Sequence, residues 1–145
     1  MRTVLFPGSF NPFTKGHADI VERALALFDR VVVAVGYNEN KADLSGIDER
    51  LETIRRIYAG EARVEVLSYS CLTVDVARQV DASAVLRGVR SFKDYEYEMQ
   101  MADVNRQLTG LETVILFARP EYASISSSVV RELQHFCHDV TDFLP

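Results

Sequence analysis

Five short apolar runs, at 3–6, 30–35, 64–67, 84–86 and 113–117, constrain what this chain can fold into more than any other feature. Their valines, isoleucines and threonines suit pleated strands, where β-branched side chains pack well. Apart from Arg30 and Glu65 the runs carry no charge, the pattern of buried strands. Ala84-Val85-Leu86 is the least distinctive of the five. Between the runs the apolar period becomes helical. Val21, Ala24, Leu25 and Phe28 form one stripe, and Leu51, Ile54, Ile57 and Tyr58 form a second. Ser45, with Asp48 three positions on, reads as a capping box that opens the second helix. Leu72, Val76 and Val80 predict a third helix, and Tyr97, Met101, Val104 and Leu108 a long fourth. Val129, Leu133, Phe136 and Val140 predict a helix near the end.

Strands alternating with helices build βαβ units. The expected fold is therefore α/β: a Rossmann-like, doubly wound, five-stranded parallel sheet with helices on both faces. With 145 residues, no internal repeat and no linker, residues 1–145 read as a single domain. In such sheets ligands bind beyond the carboxyl ends of the strands, where strand order reverses. The residues just after the five runs are mostly glycine, hydroxyl or cationic, as a polar ligand at that rim would require. Solvation of loops favours the same residue types.

A formal net charge of -5 argues against a general nucleic-acid binder, so an anionic ligand must be met by local cations and backbone donors. No run approaches the roughly 20 apolar residues of a membrane helix. The N-terminus goes straight into Thr3-Val4-Leu5-Phe6 without signal-peptide organisation, and a cytoplasmic location is expected. Cys71 and Cys137 are too few and too far apart for a disulfide framework or a metal site, and read as buried or idle thiols.

Three segments could carry chemistry. In Gly8-Ser9-Phe10-Asn11-Pro12-Phe13-Thr14-Lys15-Gly16-His17, Gly8 permits a tight turn and the approach of backbone N–H groups to an anion. Gly16-His17 sets an imidazole at the positive end of the first helix, where phosphates bind. The plainer alternative is a polar loop in which His17 merely caps the helix. In Leu86-Arg87-Gly88-Val89-Arg90, two guanidinium groups flank a turn and can face one anion, although arginines at strand ends also serve as solvated or paired charges. Ile125-Ser126-Ser127-Ser128 precedes the last helix, where hydroxyls either cap it or bind phosphate. No acidic residue stands three positions after any of these serines, so no reciprocal capping box occupies them. Lys41 sits in a polar loop, the ordinary setting of a solvated lysine. Asp94, Glu96 and Glu98 read as the exposed start of the long helix, with Tyr95 and Tyr97 packing between them.

Taken together these segments resemble a known family. GSFNPFTKGH is similar to the (T/H)-x-G-H signature of the nucleotidyltransferase superfamily, and ISSSVVR to its ISS(S/T)xxR partner. LRGVRSFKDYEYEMQMADVNR, with Lys41 and the VTDFLP ending, resembles the bacterial phosphopantetheine adenylyltransferases. The resemblance implies transfer of AMP from MgATP to 4′-phosphopantetheine, giving dephospho-coenzyme A and pyrophosphate by direct in-line attack on the α-phosphorus. It implies His17, Lys41 and Arg90 as catalytic residues, and Ser9, Lys41, Thr73 and Arg87 around the acceptor. ATP would meet Ser9, Phe10, His17, Gly88, Val89, Arg90 and Glu98. It would also meet Tyr122, Ala123, Ser124, Ile125, Ser126, Ser127 and Ser128. Magnesium would arrive with ATP, with no metal ligands from the protein. A homohexamer with coenzyme A feedback at the active site is a further implication. Ser9 stands where many relatives have threonine, and Asn11 where aspartate is usual. Three alternatives remain: a sibling transferase acting on nicotinate mononucleotide or glycerol phosphate, a nucleotide sensor without catalysis, and an RNA binder.

Overall fold

The β-branched runs do form strands, each one to three residues longer than its apolar stretch. They are β1 (Thr3–Gly8), β2 (Arg30–Gly36), β3 (Val64–Tyr69), β4 (Ala84–Val89) and β5 (Glu112–Phe117). The computed structural model describes residues 1–38 and 46–145. Among these, the five strands are all parallel and lie in one sheet, in the order β3-β2-β1-β4-β5. The chain steps outward from β1 to β3, then crosses back to β4 on the other side of β1. The reversal point is therefore the seam between β1 and β4.

That seam opens toward its carboxyl end. The β1–β4 ladder covers only Val4 with Ala84 and Leu5 with Val85, whereas the β1–β2 register continues to Gly8 with Val35. Proline explains where the ladder stops. Thr3 accepts from Ser83 N–H on the β4 side, and strand alternation turns Pro7 to that same side, where it has no N–H to donate.

Helices cover both faces. α1 (Lys15–Ala24) and α2 (Ile47–Ile57) bury Ile20, Val21, Ala24, Leu51 and Ile54 against Val4, Phe6, Val31, Val33 and Val35. On the opposite face, Leu5, Val32 and Ala34 pack with Val76 and Ala77 of α3 (Thr73–Gln79). α4 (Phe92–Thr109) lies beside α3, against β4 and β5. α5 (Ser127–His135) follows β5 after a short 3-10 turn, Pro120–Tyr122.

Several sequence expectations are corrected. Ser45 is not the cap of α2: the N-cap is Gly46 at φ 107°, which offers no side chain, and Ser45 lies outside the described residues. The α4 stripe of Tyr97, Met101, Val104 and Leu108 is exposed, and the buried residue of that helix is Glu98. Tyr95 is exposed as well, so neither tyrosine packs as expected, and the acidic run is not wholly solvated. In α5 the fully buried residue is Val130, one position out of phase with Val129 and Phe136, which are exposed. Leu72 caps α3 exposed. Cys71 and Cys137 are free but exposed, not buried.

Candidate active site

The parted ends of β1 and β4 place two cavities side by side, with Pro7, Gly8, Ser9, Arg87 and Arg131 on the walls of both. The larger, about 770 Å³, extends over β2 and β3 and is also lined by Thr73, Tyr97, Glu98 and Arg50. The smaller, about 310 Å³, lies between the α1 start, the β4 end and the α5 start. His17, Phe10, Gly88, Val89 and Arg90 line it, as do Tyr122, Ile125, Ser126, Ser127 and Ser128.

His17 is both cap and site residue. Thr14 is the α1 N-cap: its hydroxyl accepts from His17 N–H at 3.5 Å, while its own backbone N–H donates to His17 Nδ1 at 2.9 Å. An Nδ1 that accepts cannot hold the proton, so the neutral ring carries it on Nε2. Phe6, Phe10 and Phe13 surround the imidazole, with ring centroids 6.3, 5.0 and 5.3 Å away. Burial first, then the positive charges of Arg87 and Arg90, lower its pKa from 6.5 to about 4. At neutral pH the site therefore presents a neutral Nε2–H donor.

Arg87 spans the seam. Its Nε and Nη2 each donate to a Glu98 carboxylate oxygen at 2.8 Å, and its Nη1 donates to Pro7 O, the carbonyl on the unladdered side of β1. Glu98, expected beside ATP, grips Arg87 at the junction and lines the larger cavity. Arg90 holds Asp94 at 3.4 Å and faces the smaller cavity. Gly88 allows a close approach, since a Cβ there would meet Ile20 Cγ1 at 3.3 Å, a tight contact.

The serines divide their duties. Ser126 caps α5 by accepting from Val129 N–H at 3.1 Å. Ser127 donates to Pro12 O at 2.8 Å, and Ser128 accepts from Arg131 at 3.2 Å. Ala123 and Ser124 line neither cavity. Lys41 lies outside the described residues.

Two cations were not singled out from the sequence. Arg131 donates to Asn11 O at 2.6 Å and borders both cavities. Its signal was its place at the end of ISSSVVR, one helical turn after Ser128. Arg50 donates to Ser9 O at 2.7 Å. In the charged surface sequence of α2 nothing distinguished it from Arg55 and Arg56.

The arrangement suits a polyanion and a second anionic molecule meeting at Ser9 and Arg87. Arginines, a helix N-terminus, hydroxyls and a neutral imidazole donor converge there, which is the equipment of phosphoryl-group transfer. A family model described as cytidylyltransferase-like matches residues 5–133. A solved chain from Vibrio parahaemolyticus, described as a candidate nicotinate-nucleotide adenylyltransferase, superposes with a TM-score of 0.67. That superposition covers 99% of this chain and 94% of the other at 17% identity, a likeness of fold. Fold and site thus define a nucleotidyltransferase. Proteins named phosphopantetheine adenylyltransferase match along the whole chain. The Bacteroides fragilis protein is 50% identical over 100% of this chain and 97% of its own length. The Porphyromonas gingivalis protein is 54% identical over 97% and 92%. A Nocardioides relative is 44% identical over 100% and 91%. The chain belongs to the phosphopantetheine adenylyltransferase family.

Proposed function

We propose that the chain transfers the adenylyl group of MgATP to 4′-phosphopantetheine, releasing pyrophosphate and dephospho-coenzyme A, the penultimate step of coenzyme A synthesis. The observation that carries this reading is the junction of two cavities of unequal character at Ser9 and Arg87. The smaller takes the nucleotide. Ser126–Ser128 and the α5 N-terminus meet its phosphates, and His17 Nε2–H donates to the α-phosphate. The larger takes the acceptor, with its phosphate at Arg87 and Lys41 and its pantetheine arm running past Thr73.

An acceptor phosphate oxygen attacks the α-phosphorus, and the bond from that phosphorus to the β-bridging oxygen breaks. The electron pair leaves with pyrophosphate. The attacking phosphate is already ionised at neutral pH, so no general base is needed, and the protein supplies position and charge. His17 and Arg90 stabilise the charge that grows on the equatorial oxygens. Magnesium enters as part of the substrate and neutralises triphosphate charge. Among the described residues no group of three or more His, Cys, Asp or Glu side chains is placed to hold a metal ion, and Glu98 is committed to Arg87.

Coenzyme A carries both a pantetheine arm and an adenylate, so it matches both cavities and competes with both substrates. The exposed apolar row on α4 supports assembly of copies, and a homohexamer is the form we propose. We place the enzyme in the cytoplasm. Two free exposed thiols suit a reducing compartment, and no described helix is long and apolar enough to cross a membrane.

The test is pyrophosphate release from MgATP with 4′-phosphopantetheine, nicotinate mononucleotide or glycerol phosphate as acceptor. Release with phosphopantetheine alone, with dephospho-coenzyme A seen by mass, is expected. Release only with another acceptor overturns the assigned substrate. ATP binding without release from any acceptor points to a sensor.

A further inference from the structure

One buried carboxylate beside the site takes no part in the chemistry above. Asp19 follows His17 by two residues on α1, and its side chain is only 9% exposed. Both of its oxygens are taken by arginines. Arg23 donates to Oδ2 at 3.1 Å, and Arg119 Nε approaches Oδ1 at 2.9 Å. Arg23 also donates to Phe117 O, at the carboxyl end of β5, at 2.8 Å. Arg119 opens the 3-10 turn that ends in Tyr122. Asp19 is thus a knot that ties α1 to the β5 end and to the segment after it.

Both elements line the smaller cavity, α1 through Gly16, His17 and Ile20, and the segment after β5 through Ala118, Tyr122 and Ile125. The walls come close at one point, where a Cβ on Gly16 would lie 3.9 Å from Tyr122 Cβ. The cavity is polar at its His17, Arg90 and serine end. Phe6 and Phe10 add apolar lining beside His17, and Ile20, Val89, Ala118, Tyr122 and Ile125 supply the rest, where a purine ring and ribose fit once the phosphates meet the polar groups. The way α1 and the segment after β5 sit against each other therefore sets the space available to the base.

From this geometry we infer that Asp19 and Arg119 are positioning residues for the nucleotide: their ion pair fixes the spacing of the two walls that hold the base. The inference rests on the assignment of the smaller cavity to ATP. Asp19 touches no substrate. It acts through Tyr122 and Ile125 on one side and Ile20 on the other. A pair that sets cavity width affects nucleotide binding and leaves the acceptor cavity as it was, because α1 and residues 118–125 line the smaller cavity and not the larger.

The test measures dissociation constants for ATP and for 4′-phosphopantetheine separately by calorimetry, on wild type, Arg119→Ala, Arg119→Lys, Asp19→Asn and the Asp19→Asn/Arg119→Ala double variant. Arg119 is half exposed at its side chain, so its loss leaves the core intact. Arg119→Ala is expected to weaken ATP about tenfold, the size of a lost charge-assisted hydrogen bond. Acceptor affinity stays within about twofold of wild type, and Arg119→Lys recovers most of the loss because one donor suffices at Oδ1. The double variant is expected to be no worse than the poorer single variant, as for two halves of one interaction. ATP affinity unchanged in Arg119→Ala, or both ligands weakened equally with a lowered Tm, overturns the inference. If Asp19→Asn does not fold, the Arg119 pair of variants decides alone. Wild type that binds ATP without turning over phosphopantetheine removes the proposed reaction but leaves this inference standing or falling on the same constants. Wild type that binds no ATP overturns both.

Discussion

Thr14 and His17 show how one hydrogen bond decides a residue's chemistry. With Nδ1 accepting from Thr14 N–H, the imidazole is held as a donor through Nε2 and cannot act as a base through Nδ1. His17→Ala is expected to lower kcat by about 10²–10³, near 3 kcal/mol of transition-state stabilisation, with ATP affinity changed only a few-fold. Steady-state kinetics beside ATP calorimetry separate the two effects, and an unchanged kcat removes His17 from its role. The same histidine leaves a mark on stability. Its pKa is 6.5 when free and about 4 in the folded chain, so between these values the unfolded chain binds a proton that the folded chain does not. Stability therefore falls as pH drops from 6.5 toward 4, by about 3 kcal/mol from this group, and His17 contributes no pH dependence above that window. Asp29, Glu61 and Asp139, whose pKa values are lowered by hydrogen bonds, also weaken the fold at low pH. The difference between wild-type and His17→Ala denaturation curves from pH 4 to 7 isolates the histidine. Parallel curves across that range would show that His17 is not buried as a neutral ring.

Between elements, the Arg87–Glu98 pair does what the β1–β4 ladder cannot. Where Pro7 ends the ladder, Arg87 closes on its carbonyl, and Glu98 draws the first turns of α4 onto β4. Glu98→Gln keeps the shape but loses the second charged acceptor. It is expected to lower stability by about 2 kcal/mol and to raise the KM for phosphopantetheine more than that for ATP. Urea denaturation and initial rates check it, and equal KM changes would deny Arg87 its acceptor role. The strands and the site's main parts were legible in the sequence because their signals are local. β-branched runs make strands wherever they are buried, and His17, Arg87 and Ser126 sit at strand or helix ends whatever the packing. Helix phase was less legible. The apolar period of α4 was read as a core stripe, yet period alone cannot say whether a stripe faces the sheet or another molecule. In α5 the core took Val130 and not Val129, with Arg131 reaching Asn11 O across the fold, a contact that no local period encodes. Arg50 and the Asp19–Arg119 pair were unreadable for the same reason. Their partners lie 41 and 100 residues away in sequence, and only the finished fold brings them together.

At the scale of the whole molecule, α4 is the element that the isolated chain leaves unfinished. It is an 18-residue helix whose buried residue is a glutamate, while Tyr97, Met101, Val104 and Leu108 stand exposed at helical spacing. A contiguous apolar row on that scale marks a contact surface, and burying it against another copy would supply the hydrophobic stabilisation that the monomer forgoes. The row is continuous with the site, since Tyr97 and Met101 also line the larger cavity. Assembly would therefore steady one wall of the acceptor site. Val104→Glu with Leu108→Glu places charges in the row without altering a cavity residue. Wild type is expected to sediment at six times the 16.4 kDa chain mass, and the double variant as a smaller species. The dissociated variant should retain ATP affinity and lose affinity for phosphopantetheine, because α4 borders the acceptor cavity and not the nucleotide one. Sedimentation of wild type as a single chain would remove the assembly. An unchanged hexamer in the double variant would move the contact to another face.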